Sequence, residues 1–222
     1  MADRQPAAQQ PDSFAWTTQS EGLAKAWIEK YPAGRQASAV IPLLWLAQKQ
    51  EGWIPIAAME AIASLLSMPY IRVFEVATFY TMFNLKPEGR YFVQLCGTTP
   101  CMLRGAEDLA AVCEQVIGPQ GEVTGSGQLS WLEVECLGAC CNAPMVQIND
   151  YYYQDLTAEK LKEILLKLDR GEDVPPGVFN PRRHTSDPEG DNTTLTDLSL
   201  YDGSAAAPIS QLPNSETTPV VN

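Results

Sequence analysis

Four cysteines, arranged as two close pairs, are the residues of this chain best suited to carry chemistry. The segments are Cys96-Gly-Thr-Thr-Pro-Cys101 and Cys136-Leu-Gly-Ala-Cys140, and each follows an apolar run with the pattern of a β-strand. If folding brings the two pairs together, their thiolates form a four-sulfur site. Such a site suits an iron–sulfur cluster or a structural zinc ion.

The paired spacing favours a [2Fe–2S] cluster, because each of its two irons takes two protein ligands. Zinc sites more often separate paired ligands by two to four residues, and the gap between Cys96 and Cys101 is at the edge of that range. A zinc site or redox-active thiols therefore remain open from residue types alone. The spacing differs from that of plant-type ferredoxins.

We predict neither a ligand nor a catalytic role for the other two cysteines and the single histidine. Cys141 directly follows Cys140, so either could be a ligand; we favour Cys140 and take Cys141 as a buried or spare thiol. Cys113 falls on the apolar face of a predicted helix and is expected in the core. His184 begins a polar tail, so a Cys–His nucleophile is disfavoured, and no catalytic residue is predicted.

The loops around the cysteines can stabilise negative charge on sulfur. Glycines at 97 and 138 allow close approach of the backbone. Glu133 and Glu135 precede the second pair and should disfavour an added electron. The predicted helix after Cys101 would direct its N-terminal dipole to the site. The backbone N–H groups expected to donate to sulfur are those of Gly97, Thr98, Thr99, Leu137, Gly138 and Ala139.

Composition excludes several classes of function. With 222 residues, 45% of them hydrophobic, the chain can bury a sizeable core. The formal net charge of −12 argues against nucleic-acid binding, which needs clustered Lys and Arg. Half of that excess lies in residues 184–222, which contain no Lys or Arg. Neither a phosphate-binding loop nor a dinucleotide-binding glycine motif is present, so we expect no bound nucleotide.

The chain is predicted to act in the cytoplasm without inserting into a membrane. No apolar run approaches the roughly 18 residues of a membrane span. The first ten residues lack the basic and apolar regions of a secretory signal, and they are not an Arg-rich transit peptide. A cleaved mitochondrial precursor, acting in the matrix, is the alternative. If the protein acts at a membrane, it is expected to do so through partner proteins.

Periodicity divides the chain into a helical part and a mixed part, giving an α+β fold. Residues 1–18 are polar and predicted to be disordered, and residues 19–88 show four short amphipathic helices typical of a small bundle. Residues 89–173 are predicted to form strand, helix, strand, hairpin and helix, the order of a thioredoxin-like domain. Within this domain we predict one helix over 102–117 and a strand from Trp131 to Glu135 whose side chains point alternately to its two faces. We also predict a tight turn at Asn149-Asp150 and an N-cap at Thr157. Residues 174–222 are predicted to form an acidic extended or disordered tail.

Four segments of this sequence closely resemble the E subunit, or 24-kilodalton-type subunit, of respiratory complex I. The similarity spans about residues 20–172 and fades beyond 175. The family carries a small or apolar residue where this chain has Cys141, so alternative ligation deserves a check. The segments are Val76-Ala-Thr-Phe-Tyr-Thr-Met-Phe-Asn84, Cys96 to Arg104, Glu133-Val-Glu-Cys-Leu-Gly-Ala-Cys140, and Asn142-Ala-Pro-Met-Val-Gln-Ile-Asn149 with Tyr152 and Asp155-Leu-Thr157.

The resemblance implies an iron–sulfur subunit of NADH:quinone oxidoreductase. It implies an N-terminal helical bundle and a thioredoxin-like domain with one [2Fe–2S] cluster. The implied partners are the F subunit, which binds NADH and FMN, and the large iron–sulfur G subunit. The cluster would exchange single electrons with that FMN, so the isolated chain should not oxidise NADH. The implied ligands are Cys96, Cys101, Cys136 and Cys140.

Two alternatives remain from the sequence. Related subunits serve NAD-linked hydrogenases and formate dehydrogenases as diaphorase-type electron carriers. A zinc-stabilised interaction module without redox activity is the alternative of a different class.

Overall fold

The computed structural model describes residues 5–181 and 183, and it shows the α+β fold that the sequence predicts. The helices are α1 (Thr18–Glu29), α2 (Val40–Glu51), α3 (Ile56–Leu65), α4 (Tyr70–Phe79), α5 (Thr99–Leu103), α6 (Ala106–Val116) and α7 (Ala158–Asp169). The strands are β1 (Tyr91–Cys96), β2 (Leu129–Val134), β3 (Val146–Ile148), β4 (Tyr151–Gln154) and β5 (Gly177–Val178). Short 3-10 turns occur at Gln36–Ala39 and Cys140–Asn142.

Local sequence signals determine where several helices begin and end. The Thr17 hydroxyl accepts from the N–H of Ser20 at 3.1 Å, and the Thr157 hydroxyl accepts from the N–H of Lys160 at 3.2 Å. Each bond satisfies a donor that the first helical turn leaves unpaired. Gly52 ends α2 with a φ of 80°, in the left-handed region that glycine tolerates. The predicted cap at Thr157 is confirmed.

Helices α1 to α4 form the predicted bundle around their own apolar cluster. Its side chains recur at helical spacing, which places them on one face of each helix. Each fully buried large side chain contributes about 1.5–3 kcal/mol relative to exposure. Among the described residues no helix is long and apolar enough to cross a membrane. The fully buried large members of the cluster are Leu43, Leu44, Ile54, Met59, Ile62 and Phe83.

The five strands form one mixed sheet in the order β2-β1-β3-β4-β5. Strand β1 pairs in parallel with β2 and antiparallel with β3, β3 and β4 form a hairpin, and β4 pairs in parallel with β5. The hairpin turns at Asn149-Asp150, as predicted, with Asn149 at a φ of 53°. A second apolar cluster joins the sheet to α6 and α7. The helical bundle and the sheet thus have separate apolar cores. The predicted domain boundaries at residues 18, 88 and 173 stay predictions.

The N-terminal segment differs from the predicted disorder where the structure describes it. The N–H of Ala7 donates to the carbonyl of Leu85 at 2.9 Å. The Gln10 side chain accepts from the N–H of Ile56 at 2.8 Å. Phe14 and Trp16 pack against the bundle core. Polar composition suggested disorder, but two aromatic side chains and a few hydrogen bonds attach the segment to the bundle.

The helix predicted over 102–117 is instead two helices. Cys101 lies within α5, and Gly105 separates α5 from α6 with a φ of 101°. Glycine adopts that conformation readily because it has no Cβ, and the helix is interrupted there. The apolar spacing continues across the break, which is why the sequence pattern predicted one helix. The predicted helix dipole behind Cys101 therefore belongs to the five-residue α5, which contains the cysteine.

Burial along β2 also differs from simple alternation. Ser130 and Trp131 are both fully buried, while Glu133 is exposed. The strand begins inside the core, covered on both faces, and emerges toward solvent before the second cysteine pair. A two-residue period describes only a strand with one buried face, which is why it fails here.

The start of the predicted tail adds the edge strand β5 to the sheet. The Phe179 and Tyr153 rings stack with centroids 6.0 Å apart. Arg183 donates to the buried carboxylate of Asp155 at 2.7 Å. The tail prediction for 184–222, together with His184, lies outside the described residues.

Candidate iron–sulfur site

The sheet topology brings the two cysteine pairs together. Strands β1 and β2 are parallel neighbours, with Cys96 in register with Val134. Both strands therefore end at the same edge of the sheet, and both cysteine loops leave from that edge. Cys96 ends β1 and Cys101 lies in α5, whereas Cys136 follows β2 and Cys140 opens a 3-10 turn.

Within each pair the sulfurs are neighbours. The Sγ atoms of Cys136 and Cys140 are 3.6 Å apart. Two thiolates on one tetrahedral metal, each bonded at about 2.3 Å, are separated by about 3.8 Å, so this spacing suits two ligands of one iron. Cys96 and Cys101 each shift the pKa of the other thiol. Among the described residues no three His, Cys, Asp or Glu side chains form a group that could hold a metal ion. The geometry is therefore two pairs rather than one four-sulfur cage.

Each pair contains one thiol whose pKa is lowered from its usual value and one whose pKa is raised. Burial opposes ionisation of Cys96, but hydrogen bonds from the Thr98 hydroxyl and nearby N–H groups outweigh it and leave its pKa below the usual value. Burial and the bond to Cys96 raise the pKa of Cys101 to about 12. Chiefly because Gly138 N–H donates to it, Cys136 has a lowered pKa, and its bond with Cys140 raises the pKa of Cys140.

The two pairs also influence each other. The charge of ionised Cys96 raises the pKa of both Cys136 and Cys140. Cys96 and Cys101 are 2% and 1% exposed, whereas Cys136 and Cys140 are exposed. Both predicted pairs thus lie in loops that leave the same edge of the sheet, one pair inside the protein and one at its surface. Their assignment as ligands stays a prediction.

Backbone N–H groups donate to the sulfurs, as the small loop residues predict. The N–H of Gly138 donates to Cys136 at 3.4 Å, and the N–H groups of Thr98 and Leu137 lower the pKa of Cys96. Such donors stabilise thiolate charge in a partly buried site. The N–H of Met145, which lowers the pKa of Cys101, was missed from the sequence because Met145 is distant from either pair along the chain.

A buried polar network holds the second cysteine loop in place. The Asn142 amide donates to Asp155 at 2.8 Å, and the N–H of Asp155 donates to the carbonyl of Asn142 at 2.8 Å. The Tyr152 hydroxyl donates to the carbonyl of Leu137 at 2.5 Å. These contacts join the loop to β4 and its following turn. Sequence reasoning did not find this network, because its members are individually ordinary polar residues.

The remaining cysteines lie where the sequence suggests. Cys113 is fully buried in the sheet core, and burial raises the pKa of its thiol to about 12. Its predicted structural role is confirmed. Cys141 is exposed beside Cys140, so it is not a buried thiol, and its role as a spare thiol stays a prediction.

A cavity of about 680 Å³ lies beside the first cysteine loop. It lies between the segment after α4 and the end of β2. Among its lining residues are Thr81, Lys86, Glu88, Thr98, Glu133 and Glu135.

Glu88, in this cavity, should make the stability of the protein depend on pH. Burial raises its pKa to about 7, although a 2.8 Å bond from Ser130 and the charge of Lys86 oppose the shift. The folded state then holds a proton that the unfolded state releases above about pH 4.5, so stability falls as pH rises from about 4.5 through 7. We expect Glu88→Gln to remove this loss. Its stability advantage over the native chain should grow by about 2 kcal/mol between pH 5 and pH 8.

The measurement is denaturant unfolding of both chains at the two pH values. Glu122→Gln, at an exposed loop position, is the matched control. Its free energy of unfolding should change between the two pH values by the same amount as that of the native chain. Equal advantages of Glu88→Gln at both pH values would contradict the prediction.

Glu133 lies against the first cysteine loop. A Cβ built on Gly97 would overlap the Glu133 carboxylate, so that side chain lies directly against the residue after Cys96. We expect Glu133→Gln to raise the midpoint potential by on the order of 20 mV, because an exposed charge acts through a water-like dielectric. Glu135→Gln should shift it in the same direction. Potentiometric titration of both variants tests this, and unchanged or lower midpoints in both would refute it.

The sequence from residue 24 to 169 matches the family of thioredoxin-like [2Fe–2S] ferredoxins. The match covers more than half of the chain, and the chain belongs to this family. One [2Fe–2S] cluster is the cofactor of such a domain, and the paired thiols described above fit it. The predicted cofactor and thioredoxin-like fold are thereby confirmed.

Within that family the chain is most usefully compared with E subunits of NADH-quinone oxidoreductase. It is 52% identical over 190 residues to the E 1 subunit from Rhizobium meliloti (strain 1021), covering 84% of this chain and 69% of the relative. It is 52% identical over 158 residues to the E subunit from Rickettsia bellii, covering 70% of this chain and 95% of the relative. The Rickettsia conorii protein of the same name is 51% identical with the same coverage. The predicted resemblance is confirmed.

Solved structures share the fold at lower identity. They include the NAD+-reducing [NiFe]-hydrogenase in its air-oxidized and H2-reduced states, with TM-scores of 0.52 and 0.50 and 21% identity in each case. The match covers 58% and 60% of this chain but only 23% and 22% of those chains. This similarity supports the fold alone.

Proposed function

We propose that this chain is the iron–sulfur electron-transfer subunit of NADH:quinone oxidoreductase, with its cluster bound by Cys96, Cys101, Cys136 and Cys140. The observation that carries the proposal is the meeting of the two thiol pairs at one edge of the sheet, in a chain 52% identical to E subunits. When bound, a [2Fe–2S] cluster accepts and releases one electron at a time.

The residues of this chain have distinct tasks in that function. Cys96 and Cys101 hold the buried side of the site away from water, and N–H groups on both loops offset the negative charge. Cys136 and Cys140 lie at the surface. A redox partner would therefore approach on the side of the exposed pair, where the distance between the two centres is shortest.

The partners proposed are the F subunit, with NADH and FMN, and the large iron–sulfur G subunit. Electrons would pass singly between that FMN and this chain, and the complex would hold the chain peripherally on the cytoplasmic side of the inner membrane. The relatives named as oxidoreductase subunits support assembly into a larger complex. The lack of a nucleotide-binding motif supports a division of labour with a partner.

A diaphorase-type subunit of an NAD-linked hydrogenase is the second candidate. The observation that favours it is the shared fold with the NAD+-reducing hydrogenase chains. The identity to those chains is 21%, against 52% to the E subunits, so the first candidate is preferred.

Purification of the tagged full chain from its native host distinguishes the two. We expect co-purification with subunits that bind FMN and carry iron–sulfur clusters, and NADH:quinone reductase activity in the purified assembly. A nickel-containing partner with hydrogen-dependent NAD+ reduction would favour the second candidate. The isolated chain should show the paramagnetic signal of a [2Fe–2S] centre after reduction, and steady NADH oxidation by it alone would contradict the proposal.

A further inference from the structure

The Thr98 hydroxyl lies between the two cysteine loops. Its Oγ1 is 3.4 Å from the Sγ of Cys96. The same side chain also helps to lower the pKa of Cys136. One side chain therefore acts on one sulfur from each pair, although the two cysteines are 40 positions apart in the chain.

The position of Thr98 in the fold makes this contact unusual. Thr98 is the N-cap of α5, with extended backbone angles (φ −74°, ψ 166°). Thr17 and Thr157 hold the same position before α1 and α7, and each accepts a hydrogen bond from an N–H in the first helical turn. The Thr98 hydroxyl makes no such bond.

A proline explains part of the difference. Pro100 occupies the second helical position of α5 and has no N–H, so one of the two usual donors to a capping hydroxyl is missing. The Thr98 hydroxyl points to the sulfurs rather than capping the helix. It is half-buried, which limits competition from water.

The direction of the hydrogen bond follows from the chemistry of the ligands. A cysteine bound to a metal is a thiolate without a proton, so the hydroxyl must donate and sulfur must accept. The hydroxyl has one proton to donate, and the Sγ of Cys96 lies 3.4 Å from its oxygen. A hydrogen bond to a charged acceptor strengthens as the acceptor gains negative charge.

We propose that Thr98 raises the midpoint potential of the cluster by donating a hydrogen bond from its hydroxyl to the ligand sulfur of Cys96. The inference rests on the proposed function and its ligand set. One electron is added in the half-reaction, and the hydroxyl proton stays on its oxygen. Because the added charge is shared with the sulfurs, the hydrogen bond stabilises the one-electron-reduced protein more than the oxidised protein.

The test compares Thr98→Val with Thr98→Ser in the full chain containing its cluster. Valine keeps the shape and removes the donor, whereas serine keeps the donor. At a fixed potential we expect Thr98→Val to lower the ratio of reduced to oxidised protein about tenfold, which is a midpoint about 59 mV more negative. Thr98→Ser should stay close to the native chain. Potentiometric titration monitored by paramagnetic resonance gives both midpoints.

Thr18→Val is the matched control, because it removes an exposed hydroxyl at the start of α1, and its midpoint should be native. A native midpoint in Thr98→Val, or equal shifts in the valine and serine variants, would overturn the inference. If Thr98→Val does not retain iron, Thr98→Ala replaces it. Loss of iron in both apolar variants would also overturn the inference, because the hydroxyl would then be needed to retain the cluster rather than to set its midpoint potential. Absence of a [2Fe–2S] centre from the native chain would instead refute the proposed function.

Discussion

Cys101→Ala is expected to leave the purified chain without its [2Fe–2S] cluster. Cys101 is 1% exposed and lies in α5, so no solvent ligand reaches its position without local unfolding. Removing one of four thiolates leaves an iron with an incomplete coordination shell in a buried site. Iron and acid-labile sulfide should fall from two of each per chain to near zero. Visible absorption and the paramagnetic signal should be lost with them.

The other cysteines provide matched controls for this prediction. Cys113→Ala removes an equally buried thiol from the sheet core and should keep the full iron content. Cys141→Ala removes the exposed thiol beside Cys140 and should also keep it. A native iron content in Cys101→Ala, or its loss in Cys113→Ala alone, would contradict the ligand assignment. Cys140→Ala adds a check on Cys141, because retained iron there would mean that the neighbouring thiol can replace the proposed ligand.

The parts of the fold that depend on local signals could be predicted from the sequence. Apolar residues at helical spacing predict the bundle, and Asn149-Asp150 between two apolar runs predicts the hairpin. The candidate site could also be predicted from the sequence, because each cysteine loop carries its two thiols and its small residues within five or six positions. Each loop is a local feature, and only their meeting depends on the sheet.

The parts that could not be predicted depend on contacts between distant residues. The contact of Asn142 with Asp155 and the effect of Thr98 on the pKa of Cys136 each need a third element to bring the partners together. Trp131 is buried because its strand begins inside the core, which a strand pattern alone does not reveal. The site therefore follows from the parallel pairing of β1 and β2, a non-local event that determines where both loops emerge.

Gly89→Ala is the substitution that tests this dependence most directly. Gly89 packs where β1 approaches β2, and its N–H donates to the Ser130 hydroxyl at 2.9 Å. A Cβ at this position would lie 2.5 Å from the carbonyl carbon of Leu129 and 2.8 Å from the N of Ser130. Both are backbone atoms, so relief requires the two strands to move apart. We expect a loss of about 3 kcal/mol in the free energy of unfolding, at the upper end of the usual cost of overpacking.

The same shift should reach the cysteines, because β1 carries Cys96 and β2 leads into Cys136. Gly89→Ala is therefore expected to retain less iron per folded chain than the native protein, in addition to melting about 6–12 °C lower. Gly125→Ala is the matched control: no atom lies within 4 Å of a Cβ built there, and its stability should stay within about 0.5 kcal/mol of native. A destabilised Gly89→Ala with full iron content would separate folding from the site and contradict the view that the β1–β2 pairing positions the two loops.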